Sequence, residues 1–265
     1  MSDSIPKIQL SAVEKRFISA RGDEQIALSN LDLEIGSGEI VCLVGPSGCG
    51  KTTIINLMAG FEKPSNGVVQ IDGKQVSAPD PDHIMIFQDY GLYPWRTVLG
   101  NVIFGLQARR ISPAEALDKA LASLELVGLT SARDKHPHEL SGGMKQRVSI
   151  ARALAVEPSV LFMDEPFAAL DAFTRMHLQD ELLRIWQEKR PTIVFVTHDL
   201  DEAITLGQRV VLMAPNPGRV QRILDVKLAY PRERTDVDFS IFRKELFEEF
   251  HLVHRQALDG TEYSI

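Results

Sequence analysis

The octet Gly45-Pro46-Ser47-Gly48-Cys49-Gly50-Lys51-Thr52 constrains the fold more than any other stretch of the chain. It follows an apolar run, Ile40-Val41-Cys42-Leu43-Val44, short enough for a buried strand. It leads into Thr52-Thr53-Ile54-Ile55-Asn56-Leu57-Met58-Ala59, whose apolar positions recur as on one face of a helix. Strand, glycine-rich turn and helix in this order are the setting in which G-x-x-x-x-G-K-[ST] binds phosphate. Gly45, Gly48 and Gly50 let the backbone curl so that several N–H groups face one anion, and the helix N-terminus adds partial positive charge there. Lys51 then reaches the β- and γ-phosphates and the Thr52 hydroxyl coordinates Mg²⁺. The alternative is a glycine-rich turn that happens to precede a helix. With Lys-Thr in place and both flanks right, the chain is expected to bind a nucleoside triphosphate.

A chain of 265 residues can bury a sizeable core, as one large domain or a domain with an inserted lobe. Its formal net charge of −7 argues against a general affinity for nucleic acid or anionic lipid. The stretch Met1–Lys7 has no basic segment leading into an apolar one, so no signal peptide is expected. No apolar run approaches the roughly 20 residues that span a bilayer. Cys42 and Cys49 flank the phosphate loop and could pair only by distorting it, so both are expected as free thiols in a reducing cytosol. Cys49, close to Lys51, is expected to be an alkylation site that bound ATP protects.

Alternation predicts strands over Ile8–Val13 and Ile26–Ile35, the second ending in the turn Gly36-Ser37-Gly38. Together they read as an antiparallel edge beside the nucleotide strand. Val68–Ile71 with Asp72-Gly73 reads as another strand and turn. Val160–Met163, Thr192–Val196 and Val210–Met213 are apolar throughout, the mark of strands covered on both faces in a parallel sheet. Between about Tyr90 and Glu157 the period becomes helical, over Val98–Arg109, Pro113–Val127 and Gly143–Val156, with Ser112-Pro113 and Glu115 forming a helix start. This predicts an α/β fold with a mostly parallel central sheet, an antiparallel β edge and an inserted helical lobe.

Two further segments carry chemistry. The run Val160–Met163 sets Asp164 at the C-terminal end of a buried strand, where its carboxylate can hold Mg²⁺ opposite Thr52. The adjacent Glu165 can activate a water for in-line attack on the γ-phosphate. The alternative is an acidic pair capping the next helix. In Leu140-Ser141-Gly142-Gly143-Met144-Lys145-Gln146-Arg147, Ser141 and two glycines open a helix and make a second anion site. One nucleotide does not need two such sites from one protomer, so Ser141–Gly143 is expected to meet the γ-phosphate held by a partner chain.

With these motifs in this order, the chain resembles the nucleotide-binding subunits of ABC transporters over about residues 7–225. Gly45–Thr52 matches the Walker A loop, Leu140–Arg147 the family signature and Val160–Glu165 the Walker B strand. The resemblance implies that Gln88 senses Mg²⁺ and the attacking water, and that His198, in Thr197-His198-Asp199, contacts the γ-phosphate. It implies that Asp171, in Ala169-Leu170-Asp171, belongs to the D-loop, with Ala169 where serine is frequent. It extends the nucleotide site through Thr53 and sets Phe17 where an aromatic stacks on adenine, a core phenylalanine remaining the alternative. It further implies an ATPase whose cassettes pair head to tail, as identical chains or paralogues, on two ATP molecules. Permease subunits would hold the pair at the cytoplasmic face of the cell membrane, with a substrate-binding protein as indirect partner and no nucleic acid.

Tyr90–Val98 is aromatic-rich and, in the family, faces the permease; a core tryptophan is the alternative for Trp95. Leu92–Val98, Ala214–Arg219 and Pro231–Arg234 are similar to importers of the nitrate, sulfonate and taurine group. The cassette would then span 1–225, with a helical lobe at about 90–157, followed by a short extension, 226–265. Exporter ATPases and soluble cassettes of repair or assembly systems are the competing classes. Phe239, Phe242, Leu246 and Phe250 share a helical face expected to pack on the chain's own sheet. His136 and His138 lack further metal ligands nearby and are expected in a solvated loop.

Overall fold

A computed structural model describes residues 5–19 and 22–259, with side chains through Val253. Part of the Met1–Lys7 stretch and the end of the 226–265 extension lie outside the described residues. In chain order the strands are β1 (Ile8–Ile18), β2 (Glu24–Ile35), β3 (Ile40–Val44), β4 (Asn66–Ile71), β5 (Lys74–Gln75), β6 (His83–Ile86), β7 (Val160–Asp164), β8 (Thr192–Val196), β9 (Arg209–Ala214) and β10 (Arg219–Asp225). The helices are α1 (Lys51–Ala59), α2 (Val98–Ala108), α3 (Pro113–Leu126), α4 (Gly142–Ala155), α5 (Ala172–Lys189), α6 (Leu200–Leu206) and α7 (Val237–Asp259). They form two compact units, Met1–Pro79 with Thr192–Ile265, and Asp80–Pro191.

The first unit carries two sheets. One is antiparallel in the order β2-β1-β4-β5; in the other, β3 runs parallel between β8 and β9, and β10 closes the edge antiparallel to β9. Every residue of β3 and β8 is buried, as their unbroken apolar runs require. The expectation that β1 and β2 edge the nucleotide strand is therefore corrected. Their alternating pattern covers one face only, so they build a sheet of their own, while both edges of β3 are taken by the almost wholly buried strands β8 and β9. In α7, Phe239, Leu246 and Val253 are buried on one face, which packs against β9 and α6, so the extension folds onto the chain's own sheet.

The strap before α7 is held by Arg232, only 8% exposed. Its guanidinium donates to the carbonyls of Ile204 and Gly207 at 2.5 Å, Leu228 at 3.0 Å and Val226 at 3.1 Å. The Tyr230 hydroxyl donates to Leu206 O at 2.6 Å. Both side chains thus satisfy carbonyls at the C-terminus of α6, where cations are favoured.

In the second unit β6 and β7 pair in parallel, and α2, α3 and α4 pack on one another. Thr97 caps α2, Ser112 caps α3 by accepting from Glu115 N, and Ser141 caps α4. Leu178, Leu182, Leu183 and Trp186 form the buried stripe of α5. Because Arg232 is the shared donor for four carbonyls, three of them in buried bonds, Arg232→Met should keep the apolar packing and lose about 3 kcal/mol of stability. Urea unfolding of the full chain measures this; an unchanged midpoint would contradict it.

Candidate functional site

In the first unit, β3 delivers the chain into the glycine loop. Gly48 and Gly50 have φ of 78° and 91°, where a Cβ is disfavoured. Gly50 is the N-cap of α1 and offers no side chain to the helix amides, which leaves their N–H groups directed at the loop. The Lys51 ammonium folds back and donates to Gly45 O at 2.7 Å and Pro46 O at 3.0 Å. An ammonium held by weak carbonyl acceptors beside converging amides can exchange them for phosphate oxygens. Ser47 and Thr52 are exposed, and Pro46 and Thr53 half-buried, along the same turn.

The loop is backed by backbone. A Cβ built on Gly45 would stand 2.7 Å from Met213 O, and one on Gly50 2.5 Å from Leu28 Cδ2. A Cβ on Gly218 would stand 2.4 Å from Cys49 O and 2.7 Å from Ala27 O. Gly218 N donates to Ala27 O and Gly218 O accepts from Ser29 N, both at 3.0 Å, which fixes the β9–β10 turn against β2 and the loop. The importer-like stretch Ala214–Arg219 is thus a support for the phosphate loop.

Cys42 and Cys49 are free thiols, both buried. Burial pushes the Cys49 thiol up, with Lys51 opposing it, and pushes Cys42 well above its ordinary value. The expectation of a readily alkylated Cys49 is corrected accordingly: a buried, protonated thiol is a poor nucleophile.

His198 is exposed directly after the buried β8 and Thr197. Phe17, on β1, is 40% exposed with Lys15 Nζ 4.8 Å from its ring centroid, so the core alternative is excluded. The same holds for Trp95, 72% exposed. Its loop is pinned from below by Asn101, fully buried, which accepts from Tyr93 N at 2.8 Å and donates to the carbonyls of Tyr93, Arg96 and Thr97. Arg152 adds bonds to Gly91 O and Tyr90 O.

The second unit holds the remaining motifs. Gln88 is exposed just past β6. All of β7 is buried up to Asp164, itself 5% exposed. Glu165 follows at φ 48°, a left-handed conformation that a non-glycine residue adopts at an energetic cost. The Ser141 hydroxyl accepts from Met144 N at 3.3 Å, as its N-cap position predicts. A Cβ on Gly142 would stand 3.2 Å from Tyr90 Oη, and one on Gly143 3.1 Å from Ala169 O. The signature helix, the segment after Gln88 and the Ala169–Asp171 turn therefore converge within this unit. Asp171 caps α5, accepting from Thr174 N at 3.0 Å and Thr174 Oγ1 at 2.7 Å; these bonds, the amide first, hold its carboxyl below the usual range.

His136 caps a short 3₁₀ turn with its N–H donated to Glu139 Oε2 at 2.6 Å, and its ring stacks on that of His138. Among the described residues no three His, Cys, Asp or Glu side chains gather to hold a metal.

A glycine-supported phosphate loop between a buried parallel strand and a helix defines the class as a P-loop nucleotide-binding domain. The family profile of ABC transporters matches residues 28–168, and the chain belongs to that family. It is 45% identical over 233 residues to the nitrate import ATP-binding protein NrtD of Synechococcus elongatus, covering 87% of this chain and 85% of that one. It is 43% identical over 243 residues to the aliphatic sulfonates import ATP-binding protein SsuB of Bacillus subtilis, covering 92% and 94%. A dimeric structure of a post-hydrolysis state of the ATP-binding cassette MJ0796 bound to ADP and Pi superposes with a TM-score of 0.78 at 33% identity. The match covers 84% of this chain and 100% of that one.

Asn101 and Arg152 carry no motif of their own, and the buttressing role of Gly218 within Ala214–Arg219 is revealed only by the folded backbone. Gly218→Ala should displace Cys49 O and weaken ATP binding by about tenfold. Calorimetric titration checks this, and wild-type affinity would show that the turn does not support the loop.

Proposed function

We propose that this chain is the ATP-hydrolysing subunit of an ABC importer that powers uptake of a small anion of the nitrate, sulfonate or taurine kind. The observation that carries this reading is likeness over most of its length to import subunits for nitrate and aliphatic sulfonates. The cassette would comprise residues 1–225, with its helical lobe at about 90–157 and residues 226–265 as a short extension. Two cassettes, identical or paralogous, would close head to tail on two ATP molecules.

In each site the Gly45–Thr53 segment of one chain would bind the phosphates, with Lys51 on the β- and γ-phosphates and Phe17 against adenine. Ser141, Gly142 and Gly143 of the other chain would meet the γ-phosphate, with Asp171 beside them. Thr52, Gln88 and Asp164 offer only oxygen donors, the set that suits Mg²⁺, an ion that takes few protein ligands and completes its shell with phosphate and water. Mg²⁺ would neutralise charge on the phosphates. Glu165 would accept the proton of the attacking water as general base, and His198 would donate to the γ-phosphate. Loop amides and Lys51 supply most of the rate enhancement, as preorganised charge aimed at the transferring phosphoryl group.

No helix among the described residues is long and apolar enough to cross a membrane. Attachment at the cytoplasmic face would come from permease subunits, for which the exposed Trp95 on its pinned loop supplies an aromatic anchor. A substrate-binding protein would act indirectly, and nucleic acid has no role. The complex purified from native membranes should hydrolyse ATP faster when its binding protein is added with nitrate, taurine or an alkanesulfonate. If the chain purifies without a membrane subunit and is fully active alone, the importer reading fails in favour of a soluble ATPase.

A further inference from the structure

His198 is joined to two residues that a single hydroxyl ties together. Thr197, 2% exposed, fixes its backbone by donating its N–H to Leu43 O of the nucleotide strand at 3.3 Å. Its Oγ1 accepts from Asp199 N at 3.0 Å, which closes a small ring across the backbone of His198. The same oxygen donates its proton to Glu202 Oε2 at 2.7 Å, and Glu202 is 4% exposed. Asp199 accepts from Asp201 N and Glu202 N, so the first turn of α6 is locked to the same ring. At its other end α6 is held by Arg232 and Tyr230.

We propose that Thr197, anchored by the buried Glu202 carboxylate, is the positioning residue that sets the backbone of His198 relative to the nucleotide strand. The ring defines where the exposed imidazole stands, because the backbone on both sides of it is fixed by these bonds. A valine in place of Thr197 would keep the shape and β-propensity while removing the Oγ1 acceptor of Asp199 N and this donor to Glu202. The proposal rests on the reading of His198 as the γ-phosphate contact.

ATP turnover of the full chain in its assembled transporter tests it through Thr197→Val, Thr197→Ser, His198→Ala and the Thr197→Val/His198→Ala pair. Thr197→Val should lower kcat about tenfold with the KM for ATP within about twofold of wild type. Thr197→Ser, which keeps the hydroxyl, should recover most of the rate. In the His198→Ala background Thr197→Val should cost nothing further, because residues acting as a unit are not additive. An equal fall in both backgrounds, or a serine variant as slow as valine, would overturn the proposal. If His198→Ala alone turns over at the wild-type rate, the reading of His198 fails instead. Should Thr197→Val not fold, Thr197→Val/Glu202→Met removes donor and acceptor together, which spares stability, and carries the same expectations.

Discussion

Backbone pressed against backbone around the phosphate loop is the constraint on which the first unit depends. A turn that aims its amides at one anion must be stiff, or the loss of freedom on binding would offset much of the electrostatic gain. Here stiffness comes from close approach. Met213 O reaches Gly45 and the Gly218 turn reaches Cys49 O at distances that exclude a Cβ, and the Leu28 side chain packs against Gly50. The hydrogen bonds between Gly218 and the Ala27–Ser29 segment extend this contact into the antiparallel sheet. A sheet that sequence pattern alone would place at the edge of the nucleotide strand instead buttresses the loop through a hairpin turn.

The same economy recurs in the second unit. Gly142 and Gly143 do not adopt left-handed angles; they ease close packing, since a Cβ there would stand 3.2 Å from Tyr90 Oη and 3.1 Å from Ala169 O. Ser141 caps the helix they open, so its amides stay ordered at the end where an anion would bind. Asn101 and Arg152 then hold the Tyr90–Thr97 loop by bonds to its carbonyls, leaving Trp95 in solvent. In both units these buried polar groups bind backbone carbonyls and amides and so fix the loops that carry the groups proposed for chemistry.

Much of this was legible in the sequence because its signals are local. The apolar runs of β3, β7 and β8 and the Ser-x-x-Glu start of α3 report their environments without reference to the rest of the chain. What escaped depends on approach in three dimensions. The role of Gly218 lies in a contact with Cys49, far away in sequence, and its own φ lies outside the left-handed region. β10 mixes four polar with three apolar positions without alternation and β6 has four residues, so neither has a readable period. Phe17 and Trp95 have the composition of core residues, and only their exposure decides against it.

On the proposed reading, the chain works as one half of an ATP-bridged pair in which Glu165 completes hydrolysis. Sedimentation of the Glu165→Gln variant with and without MgATP tests it most directly, since a cassette that binds but does not cleave ATP should remain closed on its partner. The expected result is a monomer without nucleotide, a stable dimer with two ATP retained, and turnover reduced by at least about a hundredfold. A variant that stays monomeric in saturating MgATP and hydrolyses at the wild-type rate would contradict it.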